Sequence, residues 1–440
     1  MSDKIKEINF DEIKALSLKD ICKYINSLEN FTSNNIGNKE MLLGDLIKYF
    51  HMMNYNIKIT GYLEILQDYG VLRYMENNYL LSNYDIHVYS LFIKKYQLKK
   101  GDKILGIISA KKNNNQNTNE KFLPLGEIVL INDILPSVSK KRYDFVSLTP
   151  CYPTEQIVLE DLNTSNKERN ISMRLIDITA PLARGQRMLI VAPPKAGKTT
   201  LLRQMAESIM AKYQDIYLII LLIDERPEEV TEMIKIIKKG EVISSTFDES
   251  PENHIKVAEM AIAKAKRMVE NHQHVVIFLD SITRLARAYN SAAPANSGKI
   301  LSGGLDPNAV VQAKKILGAA RNTQEAGSLT LISTSLIDNI SKGDQLLFEE
   351  FKGTGNAEIV LSRELAQKDI YPAIKIEASG TREDNRFIKN EIWRRIRVLN
   401  NFLLIKNMSP EESINFLKER IKVTMSNEDM LMKMNTKSSF

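Results

Sequence analysis

The chain has 440 residues, 43% of them hydrophobic and 26% charged, which is ordinary for a globular protein of two or three domains. Its formal net charge of +6 is compatible with nucleic-acid binding but does not require it, because a solvated basic surface gives the same balance. No stretch of about 18 uncharged apolar residues occurs, so we expect no membrane-spanning segment.

The cysteines and the N-terminal residues indicate whether the protein is secreted or stays in the cytoplasm. The opening sequence MSDKIKEINFDEIK lacks the apolar core and the cleavage site of a signal peptide. Cys22 and Cys151 lie far apart without metal-ligand spacing, and the five histidines form no cluster. We therefore expect a protein of the reducing cytoplasm without a structural zinc site.

The first third of the chain predicts a helical subdomain followed by a small β-domain. Apolar residues recur at helical spacing in residues 1–57. In residues 58–150, short alternating or β-branched runs and glycine-containing turns predict an OB-type β-barrel. The runs lie at 61–66, 85–89, 102–108 and 127–131.

The remainder predicts a connector and a larger α/β domain. Residues 151–172 are polar and are interpreted as the connector. In residues 173–440, apolar strands alternate with helical segments, which is typical of a wound parallel sheet. The strands are expected at 187–192, 216–223, 274–280 and 328–334.

The stretch RMLIVAPPKAGKTT at 187–200 is an apolar strand that leads into a phosphate loop. The following helix begins near Gly197, and backbone N–H groups at a helix N-terminus attract phosphate. Lys198 is predicted to reach the β- and γ-phosphates, and Thr199 to ligate Mg²⁺. Ala192 replaces the first glycine of the general pattern, and the two prolines that follow have no backbone N–H group. We therefore expect the N–H groups that bind the phosphates at residues 195–199.

Two strands end in carboxylates that suit hydrolysis of a triphosphate. Asp280 ends the strand at 274–280, where open α/β sheets bind ligands, and is placed to hold Mg²⁺ through water. The alternative is an ordinary strand-end aspartate. Glu225 follows the strand at 216–223 and is the better candidate to polarise the attacking water, although Asp224 remains open for that part.

Two arginines, Arg284 and Arg287, begin the helix after Asp280. They are interpreted either as contacts near the γ-phosphate or as a surface salt-bridge pair.

Several segments, in order along the chain, resemble the bacterial transcription termination factor Rho family. GYLEILQDYG matches the start of the Rho RNA-binding barrel, and RGQRMLIVAPP matches the start of its motor. Within the motor the matching segments are APPKAGKTT, LLIDERPEEVTEM, LDSITRLARAYN, SGKILSGGLD, LGAARN, EEFKGTGNAE and SGTR. The resemblance therefore covers nearly the whole chain.

The resemblance implies a homohexameric ring of RecA-like P-loop ATPases with nucleotide sites between subunits. Glu225 would activate water, Arg226 falls on the active-site arginine of the family, and Arg382 in SGTR matches the arginine finger supplied by the neighbouring subunit. Asp280 and Thr199 would hold Mg²⁺. The residues implied to bind ATP are Lys195, Ala196, Gly197, Lys198, Thr199, Thr200 and Tyr371.

The resemblance also implies two sets of RNA contacts. Lys299 and Lys342 match the two pore loops of the ring, where glycine-flanked cations suit the backbone of a single strand. The implied residues of the primary site in the barrel are Tyr69, Arg73, Glu120 and Phe122.

The primary site departs from the family pattern at two positions, and so does the motor, where Thr200 stands in the place of a larger apolar residue. Val71 replaces an aromatic and His87 a tyrosine, which leaves the base preference of the site open. Asp369 occupies a place often held by a second interface arginine.

The expected function is an RNA-dependent ATPase and 5′→3′ RNA translocase or helicase that terminates transcription by RNA polymerase. The alternative is a rotary or secretion-type ATPase subunit that acts on protein. Such subunits share a barrel and a RecA-like core, but they have a longer C-terminal helical part and lack Ser297-Gly298-Lys299. A third possibility, a non-catalytic RNA-binding regulator, is disfavoured by the intact phosphate loop and acidic residues.

Overall fold

The computed structural model describes residues 6–110, 122–294, 301, 303–337 and 341–434. They form two compact units, Met1–Phe145 with Met260–Arg267, and Val146–Glu259 with Met268–Phe440. Among the described residues, every helix is too short or too polar to cross a membrane.

The first unit is built on a mixed sheet with the strand order β6-β4-β3-β2-β5-β7, in which β1 adds to β2. Its strands are β1 (Glu7–Asn9), β2 (Asn56–Ile65), β3 (Gly70–Arg73), β4 (Ile86–Val88), β5 (Lys103–Ile108), β6 (Leu123–Pro124) and β7 (Glu127–Ile131). Its helices are α1 (Phe10–Ala15), α2 (Leu18–Ile25), α3 (Lys39–Met52), α4 (Ser90–Tyr96) and α5 (Pro136–Ser139).

Alternation along β2 explains how this sheet packs. Its side chains alternate between buried and partly exposed, so Ile57 and Ile59 face the interior on one side of the strand. The N-terminal helices cover that interior with apolar side chains such as Phe10 and Leu46, both fully buried. The predicted helical segment and the OB-type barrel thus share one hydrophobic core.

The second unit contains a parallel sheet of the order β13-β12-β14-β16-β11-β17, with antiparallel β18 at the edge. Its strands are β8 (Pro150–Cys151), β9 (Gln156–Ile157), β10 (Leu182–Ala183), β11 (Arg187–Ala192), β12 (Ile216–Glu225), β13 (Glu241–Thr246), β14 (His274–Asp280), β15 (Arg321–Thr323), β16 (Ser328–Leu336), β17 (Ala357–Val360) and β18 (Gly380–Thr381).

Helices of the second unit connect these strands. They are α6 (Lys167–Thr179), α7 (Lys198–Lys212), α8 (Pro227–Ile236), α9 (Pro251–Glu270), α10 (Ile282–Ser291), α11 (Pro307–Gly318), α12 (Lys342–Thr354), α13 (Arg363–Gln367), α14 (Asn390–Ile405), α15 (Pro410–Lys422) and α16 (Asn427–Lys433). The buried β-branched and leucine side chains of the central strands make this the core of the unit. The four strands expected in the α/β domain are confirmed, and β12 and β16 each extend two residues further, to Glu225 and Leu336.

The C-terminal helices are held to the rest of the second unit by a buried arginine. Arg174 on α6 is 2% exposed, and its guanidinium donates to the carbonyls of Ile421 and Thr424, both at 2.8 Å. Its Nε donates to the side-chain oxygen of Asn427 at 3.0 Å. The cation therefore satisfies carbonyls at the end of α15, where a helix leaves acceptors unpaired.

Replacing Arg174 with methionine is expected to destabilise the second unit strongly. The apolar stem is kept, but each buried acceptor left without a donor costs about 1–3 kcal/mol. Thermal unfolding should show a fall of several degrees in the midpoint for Arg174→Met, whereas the exposed Arg394→Met on α14 serves as the matched control. Equal midpoints for the two variants would show that these hydrogen bonds contribute nothing to stability.

Candidate functional site

The phosphate loop lies between β11 and α7, as the sequence predicts. Gly197 precedes the first residue of α7 with φ +85°, a left-handed conformation that favours glycine. A Cβ at this position would also lie 3.3 Å from Cε1 of Tyr371. No side chain caps the helix, so its first N–H groups are available for an anion.

The ammonium of Lys198 lies between two buried carboxylates. Its Nζ is 2.6 Å from Oδ1 of Asp280 and 3.1 Å from Oε1 of Glu225. The two carboxylate side chains are 2% and 4% exposed, respectively. The carboxyl ends of β12 and β14 bring them together, because parallel strands end at the same edge of a sheet.

Burial and, after it, the neighbouring charge of Asp280 raise the pKa of Glu225 to about 7. The positive charges of Lys198 and Arg284 lower this pKa, but by less. Burial alone would lower the pKa of Lys198, but Asp280 and Glu225 outweigh it and raise that pKa. The lysine therefore stays charged, while Glu225 titrates near neutrality. A carboxyl group with that pKa suits general-base chemistry.

Two contacts at this edge were not predicted from the sequence. The hydroxyl of Thr334 on β16 donates to Oδ1 of Asp280 at 2.7 Å. Arg284 pairs with Asp224 at 3.2 Å and lies 3.7 Å from Glu225. The buried hydroxyl residues of β16 are the signal that sequence reasoning passed over. Asp224 is thus engaged by Arg284, whereas Glu225 faces Lys198.

A cavity of about 630 Å³ opens beside the phosphate loop. Five of the residues expected to bind ATP line it, namely Lys195, Ala196, Gly197, Thr200 and Tyr371. Thr199 lines a neighbouring cavity of about 260 Å³. Tyr371 is 47% exposed, so its ring is available for stacking. Lys418 on α15 donates to the carbonyl of Tyr371 at 2.9 Å and fixes the backbone that carries this ring.

Arg226 and Arg382 lie at different places in the second unit. Arg226 is exposed at the start of α8, next to Glu225. Arg382 follows β18, whose Thr381 pairs with Ala357, the first residue of β17. Because β17 runs parallel to β11, Arg382 lies at the amino edge of the sheet, opposite the phosphate loop. At about 3.3 Å per residue, the two ends of β11, and with them the two edges of the sheet, lie about 13 Å apart. One arginine side chain does not reach across that distance.

Of the two expected pore-loop lysines, Lys299 lies outside the described residues. Lys342 is exposed at the start of α12. Two residues further on, Asp344 is buried and accepts hydrogen bonds from both Nε and Nη2 of Arg287 on α10, at 3.2 and 2.5 Å. These two hydrogen bonds join α12, which carries Lys342, to α10, which follows Asp280. Arg287 is therefore engaged away from the phosphate loop, unlike Arg284.

In the first unit, the expected primary site lies on β3 and β4. The rings of Tyr69 and His87 are 4.9 Å apart with an interplanar angle of 34°. Val71 pairs with His87 across the strands and is 1% exposed. Phe122 is partly exposed, and Glu120 lies outside the described residues.

The structure buries Arg73, which the sequence placed among the RNA contacts. Its Nε donates to Glu64 at 2.7 Å, and a second nitrogen pairs with Asp85. Both carboxylates are themselves buried. The guanidinium thus binds strands of the barrel together, and direct contact of Arg73 with RNA stays a prediction.

Comparisons with known proteins extend over both units. A family model described as the Rho termination factor RNA-binding domain matches residues 59–137. One described as the nucleotide-binding domain of the ATP synthase alpha/beta family matches residues 172–381. The chain is 43% identical to transcription termination factor Rho of Cereibacter sphaeroides, over 98% of this chain and 100% of the relative. It is 46% identical to that of Borreliella burgdorferi, over 90% of this chain and 74% of the relative.

Solved structures resemble the chain in fold. An ATPase from the type III secretion system of pathogenic bacteria matches with a TM-score of 0.53 and 23% identity, over 65% of this chain and 86% of that chain. An ATP synthase subunit, NeqB from Nanoarcheaum equitans, matches with a TM-score of 0.52 and 18% identity, over 64% of this chain and 76% of that chain. These matches support a RecA-like ATPase fold.

Replacing Lys198 with methionine is expected to destabilise the protein increasingly as pH rises. Without the ammonium, the pKa of Glu225 moves further above its value of about 7. When folding raises the pKa of a carboxyl group, the folded protein becomes less stable as pH rises towards that raised pKa. The difference in thermal midpoint from the unsubstituted protein should therefore widen between about pH 6 and pH 8.5. Lys195→Met, at an exposed position of the same loop, is the control; a pH-independent difference for Lys198→Met would contradict the assignment.

Proposed function

Because this chain belongs to the transcription termination factor Rho family, we propose that it terminates transcription by coupling ATP hydrolysis to 5′→3′ movement along single-stranded RNA. The nucleotide-binding fold identifies it as an ATPase, and the RNA-binding domain supports RNA as its partner. The observation that carries the proposal is the cluster of Lys198, Glu225 and Asp280 at the carboxyl edge of the sheet.

In the proposed reaction the phosphate loop and Lys198 bind the phosphates of ATP. Glu225 accepts a proton from the attacking water, a role for which it is favoured over Asp224 because its buried carboxyl has a pKa raised to about 7. Tyr371 stacks on the adenine at the mouth of the cavity. Arg226, next to Glu225, is assigned to the phosphates of the same site.

The residues at this edge fit a magnesium ion bound together with ATP. Within the described ranges, no group of three or more His, Cys, Asp or Glu side chains could hold a metal alone. Thr199 and Asp280 instead offer the one or two protein oxygens that Mg²⁺ takes when phosphates supply the rest. When bound there, Mg²⁺ neutralises charge on the phosphates.

The position of Arg382 supports a ring of identical subunits. Since its own phosphate loop lies at the opposite edge of the sheet, we assign Arg382 to the nucleotide site of a neighbouring copy. An arginine in this role stabilises the charge of the phosphoryl-transfer transition state. The proposed assembly is a homohexamer, in which Asp369 lies at the subunit interface.

RNA is proposed to bind at two places. The barrel captures the strand at Tyr69, Glu120 and Phe122, and Lys299 and Lys342 contact its phosphates in the ring. The ion pair of Arg287 and Asp344 supports a link between Lys342 and the helix behind Asp280. The proposed target of the motor is the cytoplasmic RNA polymerase elongation complex. A secretion-type or rotary role on protein is less well supported, because the nucleotide-binding domain is common to both classes whereas residues 59–137 match the RNA-binding domain of Rho.

The function predicts ATP hydrolysis that depends on RNA. Purified protein should hydrolyse ATP much faster with single-stranded RNA than without it. Lys198→Ala should abolish turnover because the phosphates lose their cation, whereas Lys406→Ala at the end of α14 should not. If RNA leaves the rate of the unsubstituted protein unchanged, the proposed function is wrong.

Mixed assemblies test the assignment of Arg382. Arg382→Ala and Lys198→Ala proteins should each be inactive alone, and mixing them should restore part of the RNA-stimulated rate. The restored sites combine an intact Lys198 with an intact Arg382 from the neighbouring subunit. Inactivity at every mixing ratio, measured alongside mixtures with unsubstituted protein, would contradict a role in trans.

A further inference from the structure

A line of neighbouring aromatic rings leaves the expected RNA site and continues along the first unit, with one ring exposed and the others partly buried. His87, which stacks near Tyr69, also lies 4.8 Å from the ring of Tyr89 at an interplanar angle of 80°. Tyr89 is followed by Phe92 at 6.5 Å and by Tyr96 at 6.1 Å from Phe92. These neighbouring rings connect the strand β4 to the end of α4.

Tyr89 is the member of this line that is 42% exposed to solvent. It lies two residues after His87, immediately beyond β4, and its carbonyl accepts the N–H groups of Phe92 and Ile93 at the start of α4. The backbone of the residue is thus fixed by the helix. Its ring lies beside His87 and Phe92, and the residue keeps 42% of its surface exposed.

The far end of the line is basic. The ammonium of Lys95 lies 5.1 Å from the centre of the Tyr96 ring, and that of Lys140 lies 5.6 Å from it. Lys94 and Lys141 are exposed beside them. One exposed ring, Tyr89, followed by cations matches the two groups of a single strand, since bases stack on rings and phosphates pair with ammonium groups.

We propose that Tyr89 is an additional base-stacking residue that extends the RNA track from Tyr69 and His87 towards Lys95 and Lys140. The proposal rests on the proposed function, in that RNA is taken as the ligand of this domain. Val71 is buried and offers no ring at the place where the family has one. Tyr89 therefore provides a second stacking surface at a different place, reached by way of His87.

The test compares a short and a longer strand on the full-length protein. Unlabelled dinucleotide and octanucleotide pyrimidine RNAs compete with a fluorescent RNA in an anisotropy assay. A dinucleotide is long enough for Tyr69 and His87, whereas an octanucleotide also reaches Tyr89. Tyr89→Ala should weaken binding of the octanucleotide about tenfold, as loss of one base stack does, and leave the dinucleotide within about twofold.

Three further variants make the result specific. Tyr89→Phe keeps the ring and should bind like the unsubstituted protein. Tyr143→Ala removes an exposed tyrosine elsewhere in the same unit and is the matched control. Lys95→Met combined with Lys140→Met should reduce the dependence of octanucleotide binding on salt, by about one counterion for each phosphate that no longer pairs with an ammonium group.

The outcomes separate this inference from the proposed function. If the unsubstituted protein does not bind RNA, the proposed function fails. If it binds and Tyr89→Ala binds the octanucleotide equally well, the inference alone is wrong. Equal weakening of both RNAs by Tyr89→Ala would also overturn it, because it shows damage to the fold of the site. Weak binding by Tyr89→Phe would overturn it too, because the hydroxyl and not the stacking ring would then carry the contact.

Discussion

One lysine between two buried carboxylates organises the second unit. Lys198 is held by Asp280 and Glu225 at distances where a low local dielectric makes charge interactions strong. Two acids at close range would otherwise repel each other and take up a proton. In the proposed reaction an anionic triphosphate competes for the same ammonium, which would couple phosphate binding to the protonation of Glu225. The proposed chemistry of the site depends on this competition.

The polarity of the parallel sheet separates the two halves of the proposed active site. Strands β11, β12 and β14 end at the edge that holds the phosphate loop and the acids, whereas Arg382 lies where β17 begins. Each chain therefore carries one half of a site at each edge of its sheet. In the proposed ring, unlike edges of neighbouring copies meet, so each proposed active site is completed by two subunits.

Much of the second unit was predictable because its signals are local in sequence. An apolar run that ends in a carboxylate or a phosphate loop identifies a strand and its functional end together, as with Asp280 and Lys198. Contacts between distant segments were not predictable. The hydroxyl residues of β16 draw attention to Thr334 but do not identify Asp280 as its partner, and nothing near Arg73 shows that Glu64 and Asp85 surround it. The strand β3 was missed because four residues after a turn carry too little periodicity.

The pH dependence of ATP hydrolysis tests this account most directly. With saturating RNA, kcat/KM should rise with pH through an apparent pKa near 7, because the proton on Glu225 must leave before it can act as the base. Arg284→Met removes a positive charge that lowers this pKa, so the rise should move to higher pH. A profile that is flat across neutrality, or a shift to lower pH in the variant, would contradict the central role of this charge cluster.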